Sequence, residues 1–91
     1  MEVTDDEWES AAVAQLAADV RDYPGGGRGF VQDHGERLAM SYDSFNKNLN
    51  GSSKITYRTF TRAVHILGYT PEEYDSRIMT RIEAQRRRAA D

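Results

Sequence analysis

Apolar residues recur every three or four positions in five separate runs, with chain breakers between them, and that spacing predicts helices. The first run is Trp8, Ala12, Leu16 and Val20. Thr4 precedes it as an N-cap, and Asp5, Asp6 and Glu7 fill a first turn where acids favour the helix dipole. The stretch "YPGGGRG" at 23 to 29 stops that helix with Pro24 and three glycines. A second short helix is expected from Phe30 to Ala39, with Val31, Gly35 and Leu38 on one face. Ser41 can cap a third that runs to Leu49, in which Phe45 and Leu49 stand four apart and point inward. Gly51 lies just past its end, where glycine terminates helices. Thr56 caps a fourth, with Tyr57, Phe60, Val64 and Leu67 as its apolar face and Gly68 as its stop. Thr70 and Pro71, with Glu72 and Glu73, start the last, whose stripe is Tyr74, Ile78 and Ile82. Every segment reads as helix, so the expected class is all-α, a compact five-helix domain.

Composition sets the scale of that domain. With 91 residues and 38% hydrophobic positions, the chain can fill one small core and no second one. The expected organisation is a single domain over 1–91. An acidic first helix and a Gly-rich linker occupy 1–27, the central helices 28–74, and a C-terminal helix with a basic end 75–91. There is no cysteine, which excludes disulfides, thiolate metal sites and a cysteine nucleophile. No run approaches eighteen apolar residues, and "MEVTDDEWES" is acidic where a signal peptide would be basic. The expectation is a soluble, cytoplasmic protein with no membrane partner.

Charge divides the chain unevenly. The overall −3 conceals a first stretch, 1–27, with seven acids against Arg21 alone. From 28 to 88 there are eleven Lys/Arg against seven acids, a net +4. An anionic partner would therefore meet the chain after the glycines. No catalytic site is expected: His34 and His65 fall on different helices, no nucleophile motif accompanies them, and His65 reads as a surface residue.

The stretch "FNKNLNGSSKITYRTF", 45 to 60, resembles a calcium loop at first sight. Such a loop needs oxygen ligands at alternate positions, glycine at the sixth, an apolar residue at the eighth and a bidentate Glu at the twelfth. With Gly51 as the sixth, Asn46, Asn48 and Asn50 supply carbonyls without charge, the eighth position is Ser53 and the twelfth Tyr57. Making Ile55 the eighth displaces the glycine and puts Thr59 at the twelfth. Neither register provides a carboxylate, so no metal or other cofactor is expected.

The same residues fit another pattern better. Leu38, Met40 and Ser41, then Ser44 and Phe45, "LNG" at 49 to 51, Ile55 and Thr56, Phe60, "LG" at 67 to 68 and "TPEEY" at 70 to 74 follow one another at characteristic spacings. In these the chain resembles the lambda repressor/Cro-like helix-turn-helix family, the XRE family, over 38 to 74. Three positions depart from the family. Ala39 stands where it usually has a turn glycine, which requires positive φ from an alanine or a different turn. His34 and Asn48 occupy positions it fills with apolar core residues. A His34–Asn48 hydrogen bond would satisfy both. With the second helix's register shifted by one, both would instead lie partly in solvent.

The resemblance implies that the third helix enters the major groove of duplex DNA with its N-terminal residues toward base edges. It places Tyr42, Asp43 and Lys47 at base-facing positions, flanked by Asn46. Lys47 can donate to guanine O6 and N7, and Asp43 can accept from a donor such as cytosine N4. Tyr42 can reach a phosphate or pack on a thymine methyl. Alternatively, Asp43 and Lys47 form a plain i, i+4 surface pair. Asn50, Ser52, Ser53 and Lys54 make a polar loop suited to phosphate contacts, which fix register without reading sequence. Arg58 falls in the first turn of the fourth helix, where a cation opposes the dipole unless an anion binds there, and Arg28 precedes the second helix. Tyr74, Ile78 and Ile82 are candidates to bury against a second subunit. "EAQRRRAAD" either keeps the chain end soluble or touches DNA or a partner. The function so implied is sequence-specific regulation of transcription, with repression as its mode, by a bacterial or phage-type homodimer on a palindromic operator. The alternative is a protein-interaction module on the same scaffold, such as an antitoxin-like partner or adaptor.

Overall fold

The computed structural model describes residues 2–90, and among them five helices account for all regular structure. Helix α1 spans Asp5–Arg21, α2 Gly26–Leu38, α3 Tyr42–Leu49, α4 Tyr57–Ile66 and α5 Pro71–Ala90. Four of the five start as the sequence predicts. The hydroxyls of Thr4, Ser41, Thr56 and Thr70 accept from the backbone N–H groups of Glu7, Ser44, Thr59 and Glu73. At Thr70 the arrangement is reciprocal, since Glu73 Oε1 accepts from the Thr70 N–H at 2.9 Å.

α1 is the spine and touches each of the other four helices. Ala11 and Ala12 let neighbours approach its backbone, while Leu16 and Val20 are fully buried further along. Trp8 is half-buried and meets the Phe60 ring edge-on at 6.5 Å.

The glycine stretch is not a linker. α1 ends at Arg21, and Gly26, Gly27 and Gly29 form the start of α2, four residues ahead of the expected one. Gly25 takes φ of 84° to redirect the chain, and a Cβ on Gly29 would stand 2.2 Å from the Pro24 carbonyl oxygen. Glycine is needed here for close approach. The inward stripe of α2 is accordingly Phe30, His34 and Leu38, one residue out of step with the Val31, Gly35 and Leu38 face that the spacing suggests.

Ala39 ends α2 with φ 61° and ψ 37°, the left-handed conformation that the missing turn glycine requires. An alanine there costs about 1 kcal/mol. The His34–Asn48 hydrogen bond is not formed. His34 Nε2 lies 3.1 Å from the Tyr23 hydroxyl, which itself donates to Asp33 at 2.6 Å. Asn48 is 7% exposed and donates to the Ser44 carbonyl at 3.1 Å, so its buried amide is satisfied within α3. Phe45 stacks on Phe30 with ring centroids 5.6 Å apart, joining α3 to α2.

Two further expectations change. Tyr57 lies outside the core, 85% exposed, and Ala63 takes the inward place beside Val64. Tyr74, Ile78 and Ile82 are buried within a single chain, where α5 packs along α1, so they are not free to meet a second subunit. Among the described residues no helix is long and apolar enough to cross a membrane.

Candidate nucleic-acid interface

α3 is short, and it rests only on α1 and α2. Phe45 and Asn48 fill its inner side, while Asp43, Asn46 and Lys47 are exposed on the outer one. Asp43 and Lys47 stand one turn apart yet make no ion pair with each other, and Lys47 makes none with any described residue. The outer side therefore presents a carboxylate, an amide and an ammonium with their hydrogen-bonding capacity unspent. The asparagines of the supposed calcium loop diverge: Asn46 points outward on α3, Asn48 inward, and Asn50 lies past the helix end.

Tyr42 behaves differently from its three neighbours. It is half-buried, with the Arg28 guanidinium over its ring at 4.7 Å. That contact ties the first turn of α2 to the first residue of α3. Arg28 is thereby held beside the start of α3.

The loop after α3 is folded onto it. The Ser53 N–H donates to the Lys47 carbonyl at 3.1 Å, and Asn50 Oδ1 accepts from the Ser52 N–H at 2.9 Å. Asn50 thus spends its carbonyl within the loop and keeps its amide as a donor. Ser52, Ser53 and Lys54 are exposed. Lys54 lies 3.7 Å from Glu9 of α1, a solvent-exposed pair of little energetic weight. Arg58 is exposed in the first turn of α4, a turn with no acid, and it forms no ion pair among the described residues.

The first turns differ in charge around the molecule. α1, α3 and α5 open with acids, whereas α2 and α4, on either side of α3 in the chain, open with none and carry Arg28 and Arg58. Along the contact between α1 and α5, charges are paired. Asp19, with a side chain 8% exposed, binds the Arg77 guanidinium and accepts from the Tyr74 hydroxyl at 2.9 Å. Gln15 accepts from Arg81 at 2.9 Å, and Arg86 pairs with Glu7 at 2.6 Å. The Arg86 guanidinium holds the Glu7 carboxyl below the ordinary glutamate range, and burial with the Asp19 hydrogen bond pushes the Tyr74 phenol upward. Of the three terminal arginines, Arg86 is committed to α1, and Arg87 and Arg88 are exposed.

Sequence reasoning did not find a second surface, an apolar groove between α4 and α5 into which Tyr57 and Phe60 project. The signal was present: an α4 face of Tyr57, Phe60, Val64 and Leu67 is wider than one small core can cover. No protein-family model, curated protein or solved structure matches this chain.

Proposed function

We propose that this chain is a DNA-binding regulator of the lambda repressor/Cro-like type. It reads duplex DNA with α3 in the major groove and represses by occupying a palindromic operator as a homodimer in the cytoplasm, without catalysis. The observation that carries this is the outer side of α3. Asp43, Asn46 and Lys47 are exposed and, among the described residues, free of ion pairs, on an eight-residue helix joined to α2 by a tight turn through Ala39. These side chains match the donor and acceptor code of the major groove. Support comes from Arg28 and Arg58 at the acid-free starts of α2 and α4, where phosphate oxygens can meet both a guanidinium and unpaired helix N–H groups. Tyr42 positions α3 through its contact with Arg28, and Asn50, Ser52, Ser53 and Lys54 supply further phosphate donors.

A gel shift with random duplex DNA over a salt series tests this. Binding should be present at low salt and fall steeply as salt rises, with log affinity linear in log salt. Absence of binding at low salt, or an affinity indifferent to salt, contradicts it. A second reading, a protein-interaction module, draws on the apolar groove between α4 and α5, and it takes the lead if DNA binding is absent.

A further inference from the structure

The groove between α4 and α5 encloses about 730 Å³, and no residue of α3 lines it. Its apolar part includes Phe60, Ile66 and Tyr69, all half-buried, and Tyr57, which is almost free. Apolar side chains gathered in one exposed concavity mark a contact surface on a small domain. The charged rim says what kind of contact. Arg62 comes from α4 and Arg37 from α2, which touches α4 and not α5. Glu72 and Asp75 come from α5. One wall is therefore basic and the other acidic. All four side chains are exposed, and none forms an ion pair or hydrogen bond among the described residues.

We infer that a second copy of this chain docks in this groove, forming an isologous pair whose two-fold axis runs along it. A patch with opposite charges on its two sides is complementary to itself under such a rotation, because the basic wall of each copy falls on the acidic wall of the other. The walls meet, the apolar floors face each other across the space they enclose, and the exposed Tyr57 of each copy enters that space and gains the cover it lacks within one chain. The α5 stripe of Tyr74, Ile78 and Ile82 is already spent on α1, so pairing uses the other side of α5. Because the groove excludes α3, a paired molecule keeps its candidate DNA face open. The inference deepens the proposed function by giving the homodimer a surface, and it is tested with no DNA present.

The test is sedimentation of the full chain and of two charge-reversed variants. Arg37→Glu with Arg62→Glu makes both walls acidic, and Glu72→Arg with Asp75→Arg makes both basic. The parent should be a dimer at hundred-micromolar concentration. Each variant alone should dissociate at least tenfold more readily, and an equimolar mixture of the two should recover the dimer. Circular dichroism checks that helix content is kept. Tyr57→Ser, which removes an exposed ring and adds no charge, should weaken the parent dimer by a similar factor. A monomeric parent, variants that sediment like the parent, or a mixture that stays monomeric would each overturn the inference. None of these results bears on the gel shift, so pairing and DNA reading fail separately.

Discussion

The arginines of α5 and the cations around α3 carry the same charge and do opposite things. Arg77, Arg81 and Arg86 reach across to Asp19, Gln15 and Glu7, which ties the last helix to the acidic first one by two ion pairs and one neutral hydrogen bond. Among the described residues Lys47 and Arg58 have no such partners, and Lys54 has only a loose one. On a chain of net charge −3, two acids of α1, Glu7 and Asp19, are thus each held by an arginine of α5, and those arginines are not available to an anionic partner. Arg77, Arg81 and Arg86 belong to the fold, whereas Lys47 and Arg58 are exposed on the surface. Substitutions on the first side should change stability, and substitutions on the second should change binding.

The largest effect is expected within the α1–α5 packing. Ile82 is fully buried, so Ile82→Asp puts a carboxylate where it has no partner, at a cost of more than about 4 kcal/mol. Chemical denaturation should show a chain largely unfolded in water. A folded variant that has merely become monomeric would return this stripe to a subunit interface. Asp19→Ala comes next. It strands the buried Tyr74 hydroxyl, which is expected to cost about 2 kcal/mol, while Arg77, one-third exposed, recovers solvation. Denaturant midpoints at constant slope measure this, and no loss would mean that the hub contributes nothing net.

On the α3 side, Arg58→Ala should leave the denaturant midpoint in place, weaken all duplexes about equally and lower the salt slope by roughly one. Lys54→Ala should do the same less strongly, because the parent lysine must leave Glu9 to reach a phosphate. Equal affinity of parent and variant at several salt concentrations removes the residue from the interface. The smallest effect is expected from Glu7. Its carboxyl is held below the ordinary range by Arg86, so the pair stabilises the fold above the unfolded-state value and loses that contribution as pH falls through it and through the folded value. Glu7→Gln should therefore lower Tm slightly at pH 7, and the difference from the parent should shrink as pH falls below the ordinary glutamate range. A difference that stays constant down the acid range would assign the effect to packing.

The local signals in the sequence are short-range, and they were legible for that reason. Thr4, Ser41, Thr56 and Thr70 cap helices because a side-chain oxygen three residues before an N–H needs nothing else nearby. The exposed set on α3 was readable for the same reason, since Phe45 fixes which side faces in. The start of α2 was not. Glycines that end a helix and glycines that admit a carbonyl look identical until Pro24 is placed against Gly29. Tyr57 shares the helical spacing of the core residues, yet it lies one turn before Phe60, which Trp8 of α1 meets, and is left 85% exposed. The Asp19–Arg77 pair spans 58 positions, and no spacing rule reaches that far. The chain's charge asymmetry counted among its cations Arg77, Arg81 and Arg86, which the fold itself consumes.

Lys47 tests the central claim most directly. It is exposed on α3 without an ion pair, so Lys47→Ala should leave Tm unchanged. Sites selected by the parent from a random duplex pool provide the preferred sequence. Affinities of parent and variant for that sequence and for nonspecific DNA are then measured at one salt concentration. The expected result is a loss of about 1 to 3 kcal/mol on the preferred site, with discrimination relaxed at one base pair. An unchanged ratio of specific to nonspecific affinity for Lys47→Ala and for Asp43→Ala alike would mean that α3 does not read bases, and the proposed function would fail.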